Sequence, residues 1–216
     1  MTRFKKGDRV AALSIYLRTK NPAHAAFQLY TVVPEYLVSR IPETLSLAQA
    51  CVLPLGLATA AAGLYQPEYL GLAPPIAPVN ENGGKEKVIL IWGGSSTVGS
   101  CCIQLCVASG LTVLTTASSK NSDYVKGIGA DYVFDHTDDN VVRRLGEAAA
   151  GKLVVGAYDT ISDKDTALKC AEFLHAAGGG TLFATRPSEF APEEILLENV
   201  RRIAGKSSLF KRMIVR

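Results

Sequence analysis

Histidine is scarce in this chain: His24, His136 and His175 are the only three in 216 residues, and no two are close in sequence. No Ser-His-Asp arrangement or metal-ligand grouping can be assembled from such spacing. His175 precedes Gly178 at the end of a helical stretch, where an imidazole serves as a C-terminal cation. The five cysteines, Cys51, Cys101, Cys102, Cys106 and Cys170, form no C-x-x-C pair and have no histidine at ligand spacing. That argues against a zinc site. An odd, unpaired count also fits a reducing compartment, the cytoplasm.

A leader pattern is missing too. Met1 to Arg9 is charged and runs into only a short apolar patch. The apolar run Ala48 to Tyr65 is interrupted by Pro54 and two glycines and is short for a membrane span. The expectation is a soluble chain with no membrane partner. Net charge is +3, and the excess gathers in Arg201, Arg202, Lys206, Lys211, Arg212 and Arg216, with no acid among them. No nucleic-acid-reading motif accompanies this cluster, so it reads as a solvated tail and not a nucleic-acid surface.

What is present is an ordinary globular composition, 48% apolar and 20% charged. From Val88 onward, short β-branched runs alternate with helical periodicity, the mark of βαβ units. The pattern predicts strands over Val88 to Trp92, Thr112 to Thr116, Tyr132 to Asp135, Leu153 to Tyr158 and Thr181 to Thr185. Helices are predicted over Ser96 to Ser109, Asn121 to Ile128, Asp138 to Ala149 and Asp163 to Ala177. Right-handed crossovers wind such strands into an α/β fold, a Rossmann-type parallel sheet with helices on both faces. After Arg186 the pattern suggests a helix, Pro192 to Ile203, which leaves a sixth strand doubtful. Before Val88, Gln28 to Val33 and Glu35 to Val38 are β-like, and Ser46 to Tyr65 reads as helical. Leu70 to Lys87, rich in Pro, Gly and Asn, reads as a linker.

The sharpest motif is Gly93-Gly94-Ser95-Ser96-Thr97-Val98-Gly99, between the first buried strand and its helix. Glycines there let the backbone approach a pyrophosphate seated on the partly positive helix N-terminus. A P-loop is disfavoured, because Ser100-Cys101 follows where Lys and Ser or Thr would be needed. The second signal lies after strand two. NAD sites usually place an acid there for the ribose 2′-hydroxyl, whereas this chain reads Ser118-Ser119-Lys120-Asn121, with no carboxylate before Asp123. Two hydroxyls, a lysine and an amide suit a 2′-phosphate, so NADPH is the expected cofactor. Tyr16 and Lys20 have the spacing of a short-chain-dehydrogenase pair, but they precede the glycine turn, and the match is read as chance.

Together these residues resemble the medium-chain dehydrogenase/reductase superfamily, in its zinc-independent quinone-reductase and fungal trans-enoyl-reductase branch. The resemblance runs from Gly7-Asp8-Arg9-Val10 to about Thr185, through Ala26-Phe27-Gln28-Leu29-Tyr30, Ile41 to Ser46, Leu53 to Ala60, the glycine turn and Gly127 to Asp131. It implies that Ser95, Ser96, Thr97 and Val98 hold the pyrophosphate and Ser118 to Asn121 the 2′-phosphate. It places His136 near the adenosine, Phe183 and Ala184 at the nicotinamide, and Thr59, Ala60 and Leu64 in the substrate wall. Zinc members carry a Cys near the position of Leu55 and a four-Cys lobe, and neither is present here.

The implied layout is a partial GroES-like β-barrel segment over 1–70, a linker over 71–87, an NADP-binding domain over 88–190, and a helix with basic tail over 191–216. Relatives carry more barrel before the GDRV turn and more sheet after the fifth strand, so the chain reads as truncated. Two functions stay open: an NADPH-dependent reductase of an activated C=C or C=O bond in a small molecule, or a non-catalytic NADPH-binding remnant of one. Monomer and homodimer both remain open as well.

Overall fold

The computed structural model describes residues 3–76, 86–186 and 197–205. Strands β1 (Val10–Ala12) and β2 (Val38–Arg40) pair antiparallel, with Val10 opposite Arg40. Between them lie a short helix α1 (Tyr16–Thr19) and two 3-10 turns, and after them helices α2 (Leu47–Ala50) and α3 (Leu53–Tyr65). The remainder alternates: β3 (Lys87–Trp92), α4 (Thr97–Ala108), β4 (Thr112–Ala117), α5 (Ser122–Gly127), β5 (Tyr132–Asp135), α6 (Val141–Ala149), β6 (Leu153–Asp159), α7 (Lys164–Ala176), β7 (Gly180–Ala184) and β8 (Val200–Ala204).

These last six strands form one parallel sheet in the order β5-β4-β3-β6-β7-β8. The central strand explains its own unbroken apolar run. Ile89 and Ile91 face a core built with Leu64, Cys102, Ile103 and Phe183, while Val88, Leu90 and Trp92 face a second core with Leu145, Phe173 and Leu182. A strand covered on both faces has no side to leave polar. The helices obey local rules. Ser96 caps α4 by accepting the Gly99 N–H, and Asp163 with Thr166 forms a capping box on α7. In α6, Val141, Leu145 and Ala149 are buried four residues apart, so one stripe faces the sheet.

Three expectations are corrected. The predicted Pro192 to Ile203 helix gives way to β8, which pairs with β7 from Val200 opposite Gly180 to Ala204 opposite Ala184. Two consecutive arginines, Arg201 and Arg202, mask the alternation of a strand whose ladder is set by its neighbour; residues 192–196 lie outside the described residues. The β-like Gln28 to Val33 and Glu35 to Val38 stretches are bends and a 3-10 turn, with only Val38 entering a strand. Phe27, Leu29 and Tyr30 are exposed, and the Gln28 side-chain amide donates to the Pro22, Ala23 and Ala25 carbonyls in place of a ladder. The single helix Ser46 to Tyr65 is two helices separated at Cys51–Val52. By length and composition this stretch could cross a membrane. In the fold, Gly56, Thr59, Ala60, Ala62, Gly63 and Leu64 of α3 are buried against α4 and the sheet.

Candidate functional site

The strand order reverses between β3 and β6, and in open parallel sheets such a reversal marks the crevice at the C-terminal edge where ligands bind. The glycine turn lies there. Gly93 has φ +79°, and its N–H donates to Thr116 Oγ1 at 3.0 Å; the Gly94 N–H donates to the Thr116 carbonyl at 2.9 Å. A Cβ at residue 99 would stand 2.3 Å from the Gly93 carbonyl oxygen, so the turn can fold back on α4 only with glycine there. A Cβ at residue 94 would lie 2.1 Å from Thr115 Oγ1, whose hydroxyl donates to the Ile91 carbonyl.

Around this turn Ser95 and Val98 are half-buried and Thr97 is exposed. Ser96 is engaged internally: its Oγ accepts from Gly99 N at 3.0 Å and lies 2.9 Å from Thr160 Oγ1. Thr160, which opens the loop after β6, was not legible as a site residue, since Thr-Ile-Ser carries no motif.

The loop after β4 is a 3-10 turn, Ser119–Asn121, in which Asn121 Nδ2 donates to Ser118 Oγ at 3.2 Å. Ser119 and Lys120 are exposed. The adjoining strand contributes something the sequence order hid. Asp135 is the register partner of Ala117, so its carboxylate comes to the same edge as this loop. The N–H and hydroxyl of Thr137 both donate to it, at 2.9 and 2.7 Å, and the Ser119 N–H adds to them. These bonds hold the Asp135 carboxyl below the usual carboxylate range. His136 is exposed, with Nδ1 3.7 Å from Asp135 Oδ1.

At the end of β7, Phe183 and Ala184 are fully buried. The Phe183 ring packs edge-on against Tyr158 and Tyr69, at 4.7 and 4.9 Å between centroids. Asp159, the last residue of β6, is also fully buried. It accepts from the N–H groups of Ile161 and Ser162 and from the Thr166 hydroxyl, at 3.0, 2.9 and 2.8 Å. Burial nonetheless pushes its carboxyl above the ordinary value.

The three residues expected in the substrate wall lie in the core. Thr59, Ala60 and Leu64 are buried on the sheet side of α3. The opposite side, with Leu53, Leu57 and Ala61, lines an apolar cavity of about 430 Å³ against β1 and β2. Helical periodicity accounts for this burial, because the small residues Gly56, Ala60 and Gly63 make the stripe that fits closely against α4 and the sheet.

The cysteines are all free. Four are buried, Cys51 is exposed, and burial pushes the four buried thiols up. Among the described residues, no group of three or more His, Cys, Asp or Glu side chains could hold a metal ion. Leu55, at the position where the resemblance puts a zinc ligand, is exposed. These residues do not fit a zinc centre.

Fold and sequence relatives together define a protein of the medium-chain dehydrogenase/reductase class. Residues 97–211 match the model for zinc-binding dehydrogenases, and the chain belongs to that family. It is 45% identical over 205 residues to the trans-enoyl reductase himH of Aspergillus japonicus, covering 94% of this chain and 56% of that protein. It is 44% identical over 157 residues to the dehydrogenase azaJ of Aspergillus niger, covering 73% and 44%. The chain thus spans about half the length of these relatives. Of solved structures, CurK enoyl reductase superposes with a TM-score of 0.62 at 16% identity, over 83% of this chain and 50% of that one. A mycobacterial protein complexed with NADPH gives 0.59 at 21% identity, over 83% and 53%. At these identities the likeness is one of fold.

Proposed function

We propose that the chain is the cofactor-holding part of an NADPH-dependent, zinc-independent reductase acting on an activated C=C or C=O bond of a small molecule. The observation that carries this reading is the Gly93–Gly99 turn closing onto α4 at the reversal of strand order, beside a loop bearing Ser118, Ser119, Lys120 and Asn121 and no acid of its own. In this reading Gly93, Gly94, Ser95, Thr97, Val98 and Gly99 shape the pyrophosphate site at the α4 N-terminus. Ser96 contributes through its cap. Ser118 to Asn121 receive the 2′-phosphate, His136 borders the adenosine, and the backbone at Phe183 and Ala184 borders the nicotinamide. NADPH when bound supplies the hydride; the protein binds, orients and keeps water away. The similarity to a trans-enoyl reductase supports an enoyl C=C as acceptor, and the fold neighbour with NADPH supports the cofactor. Five free thiols support a cytoplasmic setting.

One observation favours a second reading, a chain that holds NADPH without turning over substrate: Thr59, Ala60 and Leu64, the side chains expected in the substrate wall, are buried. Titrating NADPH and NADH into the chain tests the cofactor claim, and absence of binding by either refutes it. NADPH oxidation with a test enone separates the two readings, since the remnant binds and does not oxidise.

A further inference from the structure

Thr160 has no part in the cofactor contacts proposed above, yet it ties both ends of the glycine turn together. Its Oγ1 lies 2.8 Å from the Trp92 carbonyl, 3.1 Å from the Gly93 carbonyl and 2.9 Å from Ser96 Oγ. Its backbone N–H also donates to the Trp92 carbonyl, at 3.1 Å. A hydroxyl has one proton, and the partners dictate where it goes. The carbonyls can only accept, so Thr160 shares its one proton between them, with Trp92 the nearer acceptor. Ser96 Oγ already accepts the Gly99 N–H, and its own proton goes to Thr160 Oγ1. The result is a directed chain from the start of α4, through Thr160, to the end of β3.

This chain joins the two loops at the reversal of strand order, because Thr160 follows β6 while the turn follows β3. Its far side is rigid. Buried Asp159 accepts from the N–H groups of Ile161 and Ser162, and its carbonyl accepts from the Thr185 N–H and hydroxyl. Ser162 is held at φ +62°, a left-handed conformation that serine keeps only when its surroundings enforce it. The contact also leaves no room at Gly93, where a Cβ would come within 2.7 Å of Thr160 Oγ1.

We infer that Thr160 is a positioning residue for the cofactor pyrophosphate: its hydroxyl holds the turn from Gly93 to Ser96 so that the free first-turn N–H groups of α4 face the crevice. The inference rests on the proposed cofactor reading. The pyrophosphate is common to NADPH and NADH, so the effect of Thr160 is blind to the 2′-group.

The test titrates both cofactors into the full chain and into Thr160→Val, Thr160→Ser, Ser96→Ala and the Thr160→Val/Ser96→Ala double variant, with melting temperatures alongside. Thr160→Val is expected to weaken NADPH and NADH alike, by about tenfold, the scale of one hydrogen bond. Thr160→Ser is expected to restore binding, and the double variant to lose less than the product of the single losses, because both changes cut the same chain. If the valine variant does not fold, Thr160→Ala repeats the comparison. Unchanged affinities in a folded Thr160→Val or Thr160→Ala overturn the inference, as does a loss confined to one cofactor or one that serine does not restore. An unmodified chain that binds neither cofactor overturns instead the reading on which the inference rests.

Discussion

The Tyr158 hydroxyl donates a 2.9 Å hydrogen bond to the Thr59 carbonyl, reaching from the buried centre of the sheet to the middle of α3. Directly beside it, a Cβ at Gly63 would fall 2.5 Å from Tyr158 Cε2 and 2.6 Å from Phe183 Cε1. The helix is therefore seated on two rings with no slack. Tyr158→Phe is expected to destabilise the chain by about 1 kcal/mol, the net worth of one buried hydrogen bond. Gly63→Ala should cost roughly 1–3 kcal/mol through overpacking, despite the better helix propensity of alanine. Urea midpoints of the two variants check both, and a stabilised Gly63→Ala would show that α3 can shift off the rings.

Glycine replacements at the turn and on the surface should separate cleanly. Gly99→Ala forces a methyl into the Gly93 carbonyl and is expected to abolish cofactor binding. Gly146 in α6 has open space around its Cα, and Gly146→Ala should stabilise the chain by up to about 1 kcal/mol with binding intact. Cofactor titration and thermal melts on the pair read out both effects.

The 2′-group should be discriminated by two charges of opposite sign. Lys120→Ala is expected to weaken NADPH several-fold more than NADH. Asp135→Asn removes the carboxylate that competes for the Ser119 N–H, and should raise the NADPH-to-NADH preference. Paired titrations at constant ionic strength measure the ratio. If Asp135→Asn lowers it, the carboxylate orders the loop and does not oppose the phosphate.

Asp159 gives a signature in pH. Burial raises its carboxyl in the folded chain above the unfolded value, so folding takes up a proton in the window between the two. Its contribution is fully present below the unfolded pKa and is lost as pH rises through the folded one. Asp159→Asn keeps an acceptor for Ile161 and Ser162 and has no charge to desolvate. The stability of the unmodified chain relative to Asp159→Asn should therefore fall between acid and neutral pH. Chemical denaturation of both at a series of pH values tests this, and a difference that grows with pH refutes it.

Much of the sheet was readable because each of its signals is local. The both-face burial of Val88 to Trp92, the helix starts at Ser96 and Asp163, and the glycines ending helices lie within a few residues of what they determine. Tyr132 to Asp135 emerges with the expected bounds. What escaped depends on partners distant in the chain. β8 is a strand because β7 is beside it, whereas Phe27 to Tyr30 has no neighbouring strand among the described residues. The same holds in the site. Asp135 reaches the loop at Ser119 only through the pairing of β4 with β5, and Thr160 meets Ser96 across 64 residues. The buried side of α3 was not legible, because glycine and alanine read as a weak apolar stripe, yet their smallness is what lets that side approach the sheet.

Burial in α4 and α7 also sorts the five thiols by accessibility. Cys51 meets solvent, while Cys101, Cys102 and Cys106 in α4 and Cys170 in α7 have their thiolate forms suppressed by burial. The chain thus contains its own opening gauge. An alkylating reagent marks one cysteine at once and the others only as fast as their helix lifts from the sheet. Mass mapping of the later adducts times the excursions of α4 separately from those of α7, with no probe added. Since α4 begins at the glycine turn, slower marking of its three cysteines in the presence of a dinucleotide would register occupancy from inside the core.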